Sequence, residues 1–148
     1  MKPTTTLVLL ADESKARVLK NEGVNKGLVQ IATLDADDFE DTQVRYSDTT
    51  GRSQSVPGGA SHVMDRTTSE RRQARENFAR HVVDATEVQM KRGGFDRFAV
   101  AAPPSMLGAL RELIKGPLAD KLAFDLDKDL TAIPVDRLPD HFKDQIVF

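Results

Sequence analysis

"TTSERRQARENFARHVVDATEVQMKRGG", residues Thr67 to Gly94, is the stretch whose reading decides the fold. Ala74, Phe78, Val82 and Ala85 recur at helical spacing as one apolar stripe, which Ala79, Val83, Thr86 and Met90 widen. Glu76, Arg80, Asp84, Glu87 and Lys91 fall on the opposite arc, where Glu76–Arg80 and Glu87–Lys91 have the favourable i,i+4 order. Thr67 and Glu70 stand at capping-box spacing, so the expected helix begins at Thr67. Gly93 and Gly94 stop it. A helix with one wide apolar stripe must bury it against another element, and the flanking sequence supplies strands.

Upstream, "TTTLVLLA" (residues 4–11) is β-branched and aliphatic and reads as a central strand. After the polar turn "DESK", "ARVLKN" places Ala16 and Val18 on one face and Arg17 and Leu19 on the other. "GLVQIATL" (Gly27–Leu34) follows the turn "NEGVNKG", whose glycines and asparagines tolerate positive φ. Short connections make these three strands an antiparallel meander. Downstream, "DRFAVAAPP" holds a buried strand over Phe98–Ala102 that feeds a helix from about Pro104. Met106, Leu107, Leu110, Leu113 and Ile114 keep helical spacing there until Gly116-Pro117. "PLADKL" adds a short helical turn, "AFDLDKDL" alternates as a strand with one face buried, and a last helix covers "VDRLPDHFKDQ", interrupted at Pro139. The order predicts an α/β domain: a mixed sheet covered by helices, in the sequence of elements also found in ribonuclease H-like folds.

Composition agrees. The 148 residues suit a single domain, 1–148, with 39% apolar and 30% charged residues. Without cysteine there is no disulfide and no thiolate chemistry. "LVLLA" (Leu7–Ala11) is too short for a membrane span and runs straight into Asp12 and Glu13, so a cytoplasmic protein without a membrane partner is expected. The net charge is −2, unevenly spread: "DADDFED" (residues 35–41) carries five acids, whereas residues 52–75 hold five arginines.

Between meander and helix lies a polar stretch, "SDTTGRSQSVPGGASHVMDR" (Ser47–Arg66), with almost no apolar periodicity. Loops this long are functional or disordered, and a mobile loop is expected at about 47–66. Its tip "PGGASH", with Gly58, Gly59, Ala60, Ser61 and His62, is either a plain flexible connection or a segment presented to a partner, and becomes a candidate catalytic loop only through the resemblance given below. Arg52, Arg66, Arg71, Arg72 and Arg75 form a candidate phosphate-binding patch whose contacts would be salt-dependent. The competing reading is a solvated helix start, ion-paired locally with Asp65, Glu70 and Glu76.

Other chemistries find no support. Neither a P-loop nor a dinucleotide fingerprint occurs, and "KRGGFDR" is a helix-to-strand turn, so no cofactor is expected. His62, His81 and His141 are scattered without HExxH spacing, and "DLDKDL" has Leu130 where a calcium loop needs glycine; no metal is expected. A ribonuclease H-like nuclease needs several carboxylates clamping its ions, but Asp12 ends the first strand while "FAVAA" offers none. Ser61-His62 lacks the rest of a triad and the G-x-S-x-G elbow.

The meander, the polar Gly-Gly loop and the arginine-rich helix together resemble the middle, catalytic domain of archaeal and eukaryotic peptide release factors. There a Gly-Gly-Gln loop precedes just such a helix. More closely, "LLADESKARVLK", "FAVAAPPSMLGALREL" (Phe98–Leu113) and "KDLTAIPVDRLP" look like the bacterial host-attachment protein family, distant relatives of that domain. The resemblance spans nearly the whole chain. It implies that Gly58 and Gly59 match the loop glycines, whereas Ala60 stands where the water-positioning glutamine would be. The backbone N–H is kept and the side-chain amide is lost. The resemblance therefore implies a binding protein with a degenerate Gly-Gly loop, with the ribosome or tRNA as partner and no ordinary stop-codon termination. Two alternatives stay open: a stand-alone peptidyl-tRNA hydrolase or ribosome-rescue factor, and an adaptor for a protein partner in surface attachment or stress. Oligomeric state is open as well.

Overall fold

The computed structural model describes residues 2–44 and 59–148, with side chains in the first helix described from Thr67 onward. Strands β1 (Thr6–Ala11), β2 (Lys15–Asn21) and β3 (Val29–Asp35) form the meander. Helix α1 (Gly59–Gly93) crosses to β4 (Arg97–Ala102). Helices α2 (Pro104–Leu113) and α3 (Pro117–Lys121) lead to β5 (Leu122–Asp127), and α4 (Leu138–Phe142) lies near the end. The five-stranded sheet is ordered β3-β2-β1-β4-β5. β1 pairs antiparallel with β2, and β2 with β3, whereas β1–β4 and β4–β5 are parallel. The expected mixed α/β sheet with an antiparallel meander at one side is what forms.

β1 is buried along its whole length because both faces of the sheet are covered. Leu7, Leu9 and Ala11 join Ala16, Val18, Phe98 and Val100 under α1 and α2, where Phe78, Val82, Met106 and Leu110 complete the core. Val8, Leu10 and Leu19 face the other way, onto Leu130, Leu138, Phe142 and Phe148. A strand buried on both faces reads as a continuous apolar run, which is why "LVLLA" carries no alternation. β2 alternates as expected, since Arg17 and Leu19 point to the second face. There the Arg17 guanidinium donates to the carbonyl oxygens of Thr131 (3.1 Å) and Ile133 (2.7 Å), and its Nε donates to Gln30 (2.7 Å). Partial burial draws the Arg17 pKa down from its ordinary value, and these bonds hold the C-terminal segment over the sheet.

Three boundaries differ from expectation. α1 begins at Gly59, not Thr67, so Thr67 and Glu70 lie inside the helix and not at its start. Residues 59–66, read as loop, are its first turns, while residues 47–58 of the expected loop fall outside the described residues. β5 stops at Asp127 because Leu130 turns into the second core. The last helix is split into a 3₁₀ turn (Val135–Arg137) and α4, with Pro139 in the first turn, where its missing N–H costs nothing. α1 ends as read. Gly94 has φ +59 and its N–H bonds to Met90 O (2.9 Å), closing the helix with a left-handed residue.

Candidate nucleic-acid interface

Among the described side chains of helix α1, which start at Thr67, burial begins at Ala74. Ala74, Phe78, Ala79, Val82, Val83, Thr86 and Met90 are buried, while none of residues 67–73 is. Fifteen residues separate Gly59 from Ala74, about 22 Å of helix at 1.5 Å per residue. The basic residues Arg71, Arg72 and Arg75 sit where the helix meets the body of the domain.

Arg71 and Arg75, one turn apart, line an open groove of about 250 Å³ with Glu13, Thr42, Val44 and Ala74. Arg75 Nη1 donates to Glu13 Oε1 at 3.0 Å, with side chains 23% and 51% exposed. Arg72 turns elsewhere and pairs with Glu76 at 3.3 Å, its side chain 72% exposed. Glu76 was expected to pair with Arg80, but the Arg80 guanidinium donates to Asn77 Oδ1 (3.2 Å) instead. An Arg preceding Glu by four residues is the weaker order, and exposed pairs contribute only about 0–1 kcal/mol. Arg72 can therefore exchange its carboxylate for another anion at little cost.

The far wall of the groove comes from the β1–β2 turn. Asp12 Oδ1 accepts from the backbone N–H groups of Ser14 and Lys15, both at 2.7 Å, and from Ser14 Oγ at 3.1 Å. Its other oxygen lies 3.1 Å from Thr131 Oγ1, whose single proton it shares with the nearer Asp129 Oδ1 at 2.6 Å. Asp12 thus spends its lone pairs on building a rigid turn, on which Glu13 is presented toward α1.

The near wall is the acidic segment after β3, folded as two 3₁₀ turns, Ala36–Asp38 and Glu40–Thr42. Thr42 Oγ1 donates to Ala36 O and to Phe39 O, and Gln43 Nε2 to Ala36 O (2.9 Å). α1 grips this segment. Asn77 Nδ2 donates to Asp41 O at 2.7 Å, and His81 Nε2 lies 2.8 Å from Asp41 Oδ1. The His81 ring also stacks on Phe39, centroids 4.0 Å apart. His81 is thus a half-exposed fastening residue, and Val44 shares the groove with Ala74.

The sequence-selected residues divide accordingly. Gly58 and Arg52 lie outside the described residues, and Gly59, Ala60, Ser61, His62 and Arg66 lie on the first turns of α1, whose side chains are not described. The structure brings Arg71 and Arg75 to one groove and leaves Arg72 beside it. Sequence reasoning missed Glu13, whose partner is 62 residues away. The Asp-x-Ser spacing of Asp12 and Ser14 could have signalled the turn, but nothing local signals its contact. Two acids of "DLDKDL" make bonds within the fold: Asp125 takes a two-pronged bond from Arg111 (2.9 and 2.8 Å), and Asp129 Oδ1 accepts from Thr131. Among the described residues no three His, Asp or Glu side chains are grouped to hold a metal ion. Nor is any described helix long and apolar enough to cross a membrane.

The fold defines the class: an α/β domain with a mixed five-stranded sheet, an antiparallel meander at one edge and a long helix that begins at Gly59. The chain matches the model of bacterial archaeo-eukaryotic release factor family 12 over residues 5–142 and belongs to that family. That membership ties it to a translation-related family. No curated protein matched the chain.

Proposed function

We propose that the protein binds RNA, with the ribosome as its principal partner, and presents the Gly58-Gly59 segment together with the arginines of α1. The observation that carries this is the arrangement on one helix. Gly59, which follows Gly58 in the sequence, opens the helix, and Arg71, Arg72 and Arg75 flank Ala74, the first buried residue from Thr67 onward. Phosphate contacts position a protein on RNA without reading sequence, and arginine offers the planar, two-pronged donor suited to them. Family membership favours a partner in translation over one at a host surface.

The binding reading is preferred to hydrolysis because Ala60 has no side-chain amide to order an attacking water. Co-sedimentation with ribosomes tests the proposal. Binding is expected at low salt, weakening as salt rises, and lost in the Arg71→Glu/Arg72→Glu double variant. Absence of binding at low salt, or binding indifferent to both substitutions, overturns it.

A further inference from the structure

We infer that Glu13 is a built-in competitor that sets how strongly a phosphate must bind to engage Arg75. The inference rests on the RNA-binding reading above and names the residue that limits it. The Arg75 side chain is far less exposed than that of Arg72, and its partner comes from the opposite wall of the groove, not from its own helix. Carboxylate and phosphate oxygens accept alike from a guanidinium. Glu13 Oε1 therefore takes a donor, Arg75 Nη1, that an incoming phosphate would otherwise use.

The turn that carries Glu13 is stiff. Asp12 accepts bonds from Ser14 and Lys15 and lies 3.1 Å from Thr131 Oγ1 on the far side of the strand ends. The backbone of Glu13 is thus positioned by its neighbours, so that chiefly side-chain freedom is lost when it meets Arg75. An anion that displaces it must also leave its charge beside the bound phosphate. Loose, isolated phosphates are rejected. A strand that also engages Arg71 and Arg72 gains enough to open the pair, so the pair favours multivalent RNA over single anions.

The experiment measures binding of a short single-stranded oligoribonucleotide to the full chain over a range of salt. It compares the wild type with Glu13→Gln, Arg75→Gln, the double variant and Glu22→Gln. Glu22 is the control: it is an exposed acid paired with Lys20 at the opposite end of β1, and its removal changes net charge equally. Glu13→Gln is expected to tighten binding about threefold to tenfold. It also steepens the salt dependence by up to about 0.7 in log–log slope, the contribution of one more phosphate contact to a single strand. Arg75→Gln abolishes that gain in the double variant, and Glu22→Gln leaves the slope unchanged. If Arg71→Glu/Arg72→Glu weakens binding but Glu13→Gln and Glu22→Gln behave alike, the competitor inference fails while RNA binding stands. If no variant and no salt concentration gives binding, both fail.

Discussion

Two adjacent glycines close α1, and the structure assigns them different physical reasons that one set of variants separates. A Cβ on Gly93 would lie 2.2 Å from Phe95 Cε2 and 2.7 Å from Cζ, far inside van der Waals contact. Phe95 is 5% exposed and belongs to the helix-side core, so its ring has little room to retreat. Overpacking of this kind costs about 1–3 kcal/mol, offset by at most about 1 kcal/mol for replacing a helical glycine with alanine. Gly93→Ala should therefore destabilise by about 1–2 kcal/mol, lowering the melting temperature by roughly 2–4 °C per kcal/mol. Gly94 has open space around its Cβ position but φ +59, so Gly94→Ala costs about 1–2 kcal/mol for conformation alone. Urea denaturation of each variant in the wild-type and Phe95→Leu backgrounds tells the two apart. Leucine lacks the two nearest ring atoms, so Gly93→Ala becomes neutral or stabilising there, whereas Gly94→Ala keeps its full cost. Equal penalties for Gly93→Ala in both backgrounds would refute the steric reasoning.

Three further outcomes follow from contacts elsewhere. Arg17→Leu should destabilise by about 1–3 kcal/mol, because the carbonyls of Thr131 and Ile133 lose their donor; hydrogen exchange should show the loosening first in residues 128–148. Asn77→Ala should speed exchange in residues 36–43 while leaving the sheet amides protected, since its bond to Asp41 O fastens the 3₁₀ segment to α1. The hydrogen bond from Arg111 holds Asp125 below the ordinary aspartate pKa, so the unfolded chain takes up a proton there before the folded one does. That stabilisation is present above about pH 4 and is lost as pH falls through the lowered folded value. Asp125→Asn should thus flatten the acid limb of a stability-against-pH curve by about 0.2–1 kcal/mol, while leaving it unchanged in shape near neutrality.

Where burial imposes a period, the sequence was readable. The α1 stripe from Ala74 to Met90 packs as its spacing implied, and "LVLLA" is central because it is apolar without alternation. The start of α1 was not readable for the converse reason. "GASHVMDR" carries no apolar period in its sequence to mark it as helix, and the local Thr67-to-Glu70 signal took precedence over helix continuing from Gly59. β5 was overextended because Leu130 keeps strand alternation yet is drawn into the core with Phe142. Within the site, the arginines were visible as composition, but their partners were not. Arg72 chose Glu76 within its own helix, and Arg75 chose Glu13 across the groove, a contact only the tertiary fold can make. The cationic patch is accordingly more balanced than its sequence alone implied.

The central claim is that the first turns of α1 and their arginines are one contact surface for the ribosome. Hydrogen exchange of the chain, alone and with ribosomes at low salt, tests it most directly. The account predicts slowed exchange across residues 59–75, reversed by raising the salt, with β2 and β3 unaffected. Protection confined to the sheet edge or the C-terminal segment, with residues 59–75 unchanged, would contradict it.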